Sequence, residues 1–382
     1  MISLLSRAMK NSHRTWIEIN ADAFNQNIAA LKNIIGNAAL GIVLKGNAYG
    51  HGLELMGKLC QENNAVSWLF TAGTHEAIAL RKQGVAKPIL VLAYHDANHS
   101  TLHEYAIIAP INDLYTAHEL SAAAKKSGVS IEAHIKIDTG MSRFGFLAAE
   151  CEKFLNEIKN LNGLNITGIF THLADTNNVD CSFTYDQLTR FNSAARCAQV
   201  VFGRHLFKHV LASGSLYLPT DYDGVRVGTS AYGYWKSGLQ RQRYTAVSAG
   251  IQLTPILTWK TRIEAIKKIN RGDTVGYHRT FMATDPMTIA ILPVGYYDGY
   301  PRALSHRGTV RIRDTFCSVL GIISMNSMVV DVTHLANVNK DDEVILCGNF
   351  PGLDAESIAA VTHSLQNEFL ARLSPAITRM IV

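Results

Sequence analysis

Eight short β-branched runs, spread over the first three-fifths of the chain, constrain its fold more than any other feature. They are Gly41–Lys45, Ser67–Thr71, Pro88–Ala93, Ala106–Ile111, Glu132–Asp138, Ile166–Leu173, Phe207–Ser213 and Val225–Gly228. Most are separated by stretches whose apolar residues recur at helical spacing. In Thr74–Arg81, Thr74 is placed to cap a helix and Gly84 to stop it. In Thr116–Lys126, Gly128 closes the helix, and Lys125 and Lys126 sit where cations suit its dipole. Strands interleaved with helices in this number predict a (β/α)8 TIM-type barrel. A doubly wound open sheet leaves the count of eight unexplained, and no G-x-G-x-x-G follows the first strand.

The texture changes near Arg241. From Thr254 to Gly348 come six strand candidates, ILTWKTRIEAI, MTIAILPVGY, TVRIRD, CSVLGII, MVVDVT and EVILCG, then a helix near Asp354–Leu365. The expected α/β architecture is therefore an N-terminal barrel domain, 1–245, followed by a mostly β C-terminal domain, 246–382, with residues 1–13 a loose leader. A length of 382 residues, 47% hydrophobic and 18% charged, suits two globular domains with a large core. The net charge of +5 is scattered, with no run of four basic residues, which argues against a nucleic-acid face and leaves anionic ligands open. Six cysteines without a C-x-x-C pair or a Cys/His grouping read as reduced thiols, so no metal site is expected. No apolar stretch approaches the roughly 20 residues that span a bilayer, and MISLLSRAMK is too short for a signal peptide. The expected location is the cytoplasm, with no membrane partner.

In such a barrel, functional residues project from the C-terminal ends of the strands. The first strand ends on Lys45, inside GIVLKGNAYGHG, where glycines let a ligand approach the backbone. That is where a Schiff-base lysine would sit, although a solvated strand-end lysine fits the same pattern. The fifth strand offers Lys136 and Asp138 and runs on to Arg143. A lysine inside an apolar strand is costly unless it is paired or modified. The sixth ends at Thr171-His172, the seventh at Ser213-Gly214-Ser215, and the eighth at Arg226-Val227-Gly228-Thr229. Strands two to four end on nothing chemically pointed. Small residues after strands seven and eight fit a phosphate cradle, though serine and glycine are also ordinary turn material. Phosphate corner, lysine and arginine together match pyridoxal phosphate. An arginine facing the pyridine nitrogen would leave it unprotonated, which favours simple proton exchange.

These segments carry a close resemblance to the alanine racemase family, pyridoxal phosphate enzymes of fold-type III, over nearly the whole length. The motifs are KGNAYGHG (Lys45–Gly52), KIDTGMSRFGF (Lys136–Phe146), THLA (Thr171–Ala174) and RVGTSAYG (Arg226–Gly233). VGYHRTF (Val275–Phe281), LPVGYYDGYPR (Leu292–Arg302) and GIISMNSMVVDVT (Gly321–Thr333) follow in the second domain. The resemblance implies that Lys45 binds pyridoxal 5′-phosphate and is the base on one face of the substrate. It implies that Tyr277 is the base on the other face, delivered from the second subunit of a homodimer. Arg226 would meet the pyridine nitrogen, with His172 linking it towards Tyr277. Arg143 would face the substrate carboxylate, steadied by Lys136, which in this family can be carbamylated. Tyr49, Ser213, Gly228 and Thr229 would hold the phosphate. Met325 would help hold the carboxylate, and Tyr296 and Arg302 would line the approach channel.

Three positions depart from the family pattern: Ala212 before the phosphate serine, Asn326 after Met325, and Asn367 where a tyrosine usually reaches the phosphate. All touch anchoring or access, and none removes a proton-transfer group. Loss of one neutral phosphate hydrogen bond costs about 0.5–1.5 kcal/mol.

The chemistry is coherent on its own terms. Racemisation needs an acid and a base on opposite faces of a planar carbanion, and one lysine cannot serve both efficiently. The expected activity is an isomerase interconverting L- and D-alanine, a small amino-acid substrate, to supply D-alanine for cell-wall peptidoglycan. A racemase for serine, lysine or several amino acids is a near alternative. A non-catalytic pyridoxal phosphate carrier lacks a β domain, and a decarboxylase on a related barrel would need a site cysteine in a motif that Cys317 and Cys347 do not occupy.

Overall fold

The computed structural model describes residues 13–95, 99–219 and 221–382. All but the last residue of the expected leader, 1–13, lies outside them. The chain divides into two compact units. One comprises residues 25–46 and 56–253; the other comprises the residues up to 24, 47–55 and 254–382. The first described strand, β1 (Thr15–Ile19), belongs to the second unit.

The first unit is a closed barrel of eight parallel strands with helices between them. Its strands are β2 (Ala39–Val43), β3 (Val66–Thr71), β4 (Ile89–Val91), β5 (Ile107–Ile111), β6 (Ile131–Asp138), β7 (Leu164–Phe170), β8 (Phe207–Ala212) and β9 (Gly224–Val227). Each pairs with its neighbour in sequence, and β9 returns to β2 with Gly224 opposite Ala39. All eight expected strands are present. Their runs are Val/Ile/Leu-rich because both faces of a parallel barrel strand are buried. Rings fill the interior: Trp68 stacks on Phe207 at 4.8 Å and Phe170 stacks on His209 at 4.8 Å.

Local details differ from expectation at two places. The helix Thr74–Lys82 has Gly73, in extended conformation, at its cap position, so Thr74 is its first residue and caps nothing. The Glu76 carboxylate instead accepts from the Ala72 N–H at 3.0 Å. Gly84 follows the helix with φ +86°, as a stop signal should. The helix Leu114–Ser127 is capped by Asp113, which accepts from the Thr116 N–H at 2.7 Å, and closed by Gly128 at φ +65°.

The second unit is built on a nine-stranded sheet. Its further strands are β10 (Leu257–Arg262), β11 (Ala265–Ile269), β12 (Met287–Leu292), β13 (Thr309–Ile312), β14 (Thr315–Leu320), β15 (Met328–Asp331), β16 (Glu343–Cys347) and β17 (Thr378–Ile381). The order is β11-β12-β15-β14-β13-β16-β10-β1-β17, antiparallel throughout except for β1 beside β17. The helix expected near Asp354–Leu365 is Ala355–Val361, and a second, Gln366–Ala371, follows it. His363, at φ +52°, turns the chain between them. Among the described residues no helix is long and apolar enough to cross a membrane, and no His/Cys/Asp/Glu group could hold a metal ion. All six cysteines are free.

Candidate active site

Strand β2 ends at Val43, two residues short of the predicted end, and the backbone turns left-handed from Gly46. Lys45 opens a five-residue helical segment, Lys45–Tyr49, in which Gly46, Asn47, Ala48 and Tyr49 have φ of +62°, +54°, +53° and +54°. A left-handed turn costs each L-residue about 1–2 kcal/mol and persists only where its surroundings over-determine it. Asn47 Oδ1 accepts from the Leu53 N–H at 2.8 Å. The His51 ring places Nδ1 3.0 Å from the carbonyls of both Ala48 and Tyr49, and so donates there. Arg379 Nε donates to Gly50 O at 2.9 Å.

The strand ends of the first unit bring cations together. Burial lowers the Lys45 ammonium, as do Arg143, Arg226 and Lys236, while Glu76 acts the other way. Glu76 comes from the first turn of the helix that follows β3. Lys136 is only 5% exposed, and its ammonium contacts the Leu92 carbonyl at 3.3 Å and the rings of Phe144 and Phe170. Burial, then Arg143, Arg226 and Lys45, push it down to about 7, so much of it is a neutral amine at neutral pH. Arg143 is exposed on a loop tied back by Asp138, whose carboxylate accepts N–H bonds from Gly140, Met141 and Ser142 at 2.9–3.2 Å. His172 is half-buried and held well below its ordinary value by burial, Arg226, Arg143, Lys45 and Lys236. It is neutral at pH 7.

Arg226 is 3% exposed and committed on its inner side. Nη1 donates to His209 Nδ1 at 2.8 Å and to His209 O at 2.5 Å; Nη2 donates to Thr171 O at 2.6 Å and Val210 O at 3.0 Å. Nε–H is the donor left over. Because arginine only donates, His209 must accept at Nδ1 and carry its proton on Nε2. That proton is donated to His134 Nδ1 at 2.8 Å. Burial keeps both imidazoles neutral. Gly168 makes room for this chain, since a Cβ there would stand 2.4 Å from His134 Cε1. The result is a fixed guanidinium offering one N–H to an acceptor.

The corner after β8 and β9 is an anion cradle. Ser213 Oγ accepts the N–H groups of Gly228 at 3.0 Å and Ser230 at 3.3 Å. Both its lone pairs are then used, and its hydroxyl proton is free to be donated. The Ser213 carbonyl is held from behind by Tyr244 OH at 2.5 Å and by Gln240 Nε2. Thr229 is buried beside these residues in sequence. Nothing in the run of Gln240, Tyr244, His134 or His209 marked them in the sequence, since buried polar residues of helices and strands look like any others.

The remaining predicted residues belong to the second unit. Tyr49 closes the left-handed turn, half-buried, with burial pushing its phenol up to about 12. Tyr277 lies in the short 3₁₀ turn Tyr277–Arg279 and is 64% exposed. Met325 is 53% exposed and Tyr296 44%; Arg302 is exposed as well. The Tyr296 and Tyr297 N–H groups bond the carbonyls of Ser324 and Met325 at 3.1 and 3.0 Å, which locks these two loops together. Asn367 lies in the helix Gln366–Ala371. The barrel thus gathers Lys45, Lys136, Arg143, His172, Ser213, Arg226, Gly228 and Thr229, while the loop face of the second unit carries Tyr277, Tyr296, Arg302 and Met325.

Comparison with known proteins gives one consistent result. Residues 19–236 match the family "Alanine racemase, N-terminal domain", and residues 256–381 match "Alanine racemase, C-terminal domain". An alanine racemase of Clostridium perfringens is 37% identical over 96% of this chain and 94% of its own length. The structure of an alanine racemase from Clostridium difficile 630 superposes with a TM-score of 0.90 at 29% identity, covering 97% of this chain and 96% of that one. An alanine racemase from Bartonella henselae, solved with covalently bound pyridoxal phosphate, gives a TM-score of 0.83 at 25% identity over 97% of this chain and all of that one.

Proposed function

This chain belongs to the alanine racemase family, and on that premise we propose that it works by two bases, Lys45 and Tyr277, on opposite faces of alanine. It is an isomerase that interconverts L- and D-alanine, and its cofactor is pyridoxal 5′-phosphate. The donor set fits that group: a lysine with a lowered pKa, a fixed arginine N–H, and a serine hydroxyl beside backbone amides. When bound, pyridoxal phosphate withdraws electrons from the α-carbon of an attached amino acid and so acidifies its proton.

Everything else falls to the protein. Lys45 holds the cofactor and moves the proton on one face. Its lowered ammonium pKa raises the fraction of free amine able to do so. Tyr277, brought by the second subunit of a homodimer, moves the proton on the other face. A phenol acts as a base at neutral pH only beside cationic groups. The barrel mouth is rich in them. Arg226 offers its remaining N–H to the pyridine nitrogen, which leaves that nitrogen unprotonated, and His172 links it towards Tyr277. Arg143 and Met325 hold the substrate carboxylate. Tyr49, Ser213, Gly228 and Thr229 hold the phosphate, and Tyr296 and Arg302 line the approach. Lys136, part of which is a neutral amine near pH 7, can attack carbon dioxide at its carbon and release one proton, giving a carbamate that faces Arg143 with a negative charge. The activity supplies D-alanine for peptidoglycan from a cytoplasmic enzyme.

The observation that carries this reading is the gathering of Lys45, Arg226 and the Ser213 cradle at one barrel mouth. Proton NMR in D2O of the cofactor-loaded protein with L-alanine and D-alanine tests it. Loss of the α-proton signal with loss of chirality from both enantiomers is expected. Loaded protein that exchanges no α-proton sinks the proposal.

A further inference from the structure

None of the residues expected to hold the cofactor phosphate carries a charge, although a phosphate monoester brings between one and two negative charges at pH 7. Ala212 and Asn367 remove two of the neutral groups that usually assist. Lys236 stands at this corner, outside every motif that carries the family resemblance.

Its backbone N–H donates to Gln240 Oε1 at 2.5 Å, and Gln240 Nε2 donates to the Ser213 carbonyl. One fully buried glutamine therefore clamps the Lys236 main chain to the phosphate serine. The side chain runs along the same corner: a Cβ on Gly214 would stand 3.4 Å from Lys236 Cδ, in ordinary contact. The same Cβ would stand 2.3 Å from Thr176 Oγ1, so only glycine lets the lysine stem and Thr176 flank this backbone together. Lys236 is also the least of the cations that lower Lys45 and His172, in keeping with this position beside Gly214. Among the described residues it pairs with no carboxylate.

We propose that Lys236 is a cofactor-binding residue of this chain that supplies the positive charge opposite the phosphate of pyridoxal phosphate. The proposal rests on the cofactor reading above. A charged hydrogen bond to phosphate is stronger than the neutral one that a family tyrosine would make, so one lysine can offset the departures at Ala212 and Asn367.

The test is a binding titration of cofactor-free protein, followed by the visible absorbance of bound cofactor. Wild type, Lys236→Met and Lys236→Arg are each titrated with pyridoxal phosphate and with pyridoxal, which lacks the phosphate. Methionine keeps an unbranched stem over Gly214 and removes only the charge. Lys236→Met is expected to bind pyridoxal phosphate about tenfold more weakly, to bind pyridoxal as wild type does, and to be largely rescued by arginine. Equal affinity of Lys236→Met and wild type for pyridoxal phosphate would overturn the proposal. So would an equal loss for both ligands, which would mark a structural effect. Wild type that binds neither form would overturn the cofactor reading itself.

Discussion

Arg226 and Tyr277 show how differently the two units hold the groups proposed to act. The arginine is 3% exposed and uses its inner N–H donors on two carbonyls of β8, the Thr171 carbonyl and an imidazole. The tyrosine is 64% exposed on a 3₁₀ turn whose neighbours His278 and Arg279 both have positive φ. The barrel mouth is organised in advance: tautomers, pKa values and donor directions are set by burial. The loop face presents its groups outward, where water screens them. A group of that kind acquires catalytic properties only from what it docks against. This is the physical case for the proposal that a second subunit completes the site.

The largest effects should come from breaking one group on each side. Lys45→Ala is expected to abolish α-proton exchange from both enantiomers together with covalent cofactor attachment. Tyr277→Phe should be selective. It should lower exchange from L-alanine by about 10²- to 10⁴-fold, the worth of a positioned proton-transfer group. Lys45 would still wash out the α-proton of D-alanine with retention. Overall racemisation must fall equally in both directions, because the equilibrium constant fixes their ratio, so exchange into D2O is the informative measurement. Equal losses of exchange from L- and D-alanine would remove the tyrosine from its role.

Lys136 sharpens the comparison through pH. Its folded-state value, about 7, lies below the ordinary 10.5. Between those values the unfolded chain binds a proton that the folded chain has released, so this residue makes stability rise with pH across the window. Below about 7 both states are charged and the cost of burying the charge is felt in full. Lys136→Met should therefore be more stable than wild type by about 2–4 kcal/mol at pH 6, measured without cofactor and with carbon dioxide excluded. The gain should shrink towards zero as pH nears 10.5. A gain independent of pH would mean that charge burial is not its source.

Legibility in the sequence followed the same division. The eight barrel strands could be read because both-face burial demands uninterrupted Val/Ile/Leu runs, and the rim residues could be read because strand ends are functional in this architecture. Motifs alone placed Tyr277, Met325, Tyr296 and Arg302; their local chemistry is that of ordinary loop residues. Four things were not legible. The left-handed turn follows Lys45, yet Asn47-Ala48-Tyr49 carries no signal for it beyond the flanking glycines. Strand β1 pairs Thr15 with Thr261, a partner too distant for any local pattern. The chain His134–His209–Arg226 depends on three strands facing one another, which only barrel closure brings about. Lys236 was missed because a lone lysine before a helix looks like a solvated one.

The smallest effects test whether the two regions differ as claimed. A Cβ at Gly168 would meet three atoms of the His134 ring at 2.4–2.6 Å, and that ring is held by His209 and packed against Trp68. Gly168→Ala should cost about 1–3 kcal/mol in unfolding free energy, as overpacking of a core does. Tyr297, 63% exposed on the loop face, is the counterpart. Tyr297→Ser should change the stability of the subunit itself by no more than about 0.5 kcal/mol. If this face is covered by a second copy, the variant's melting temperature should nevertheless fall below that of wild type at concentrations where wild type is associated, and the gap should close on dilution as both dissociate, since association shifts apparent stability by mass action. Denaturation of both variants across a hundredfold range of concentration separates the cases. A large, concentration-independent loss for Tyr297→Ser would mean that the loop face is as tightly determined as the barrel mouth, and the contrast between the two regions would fail.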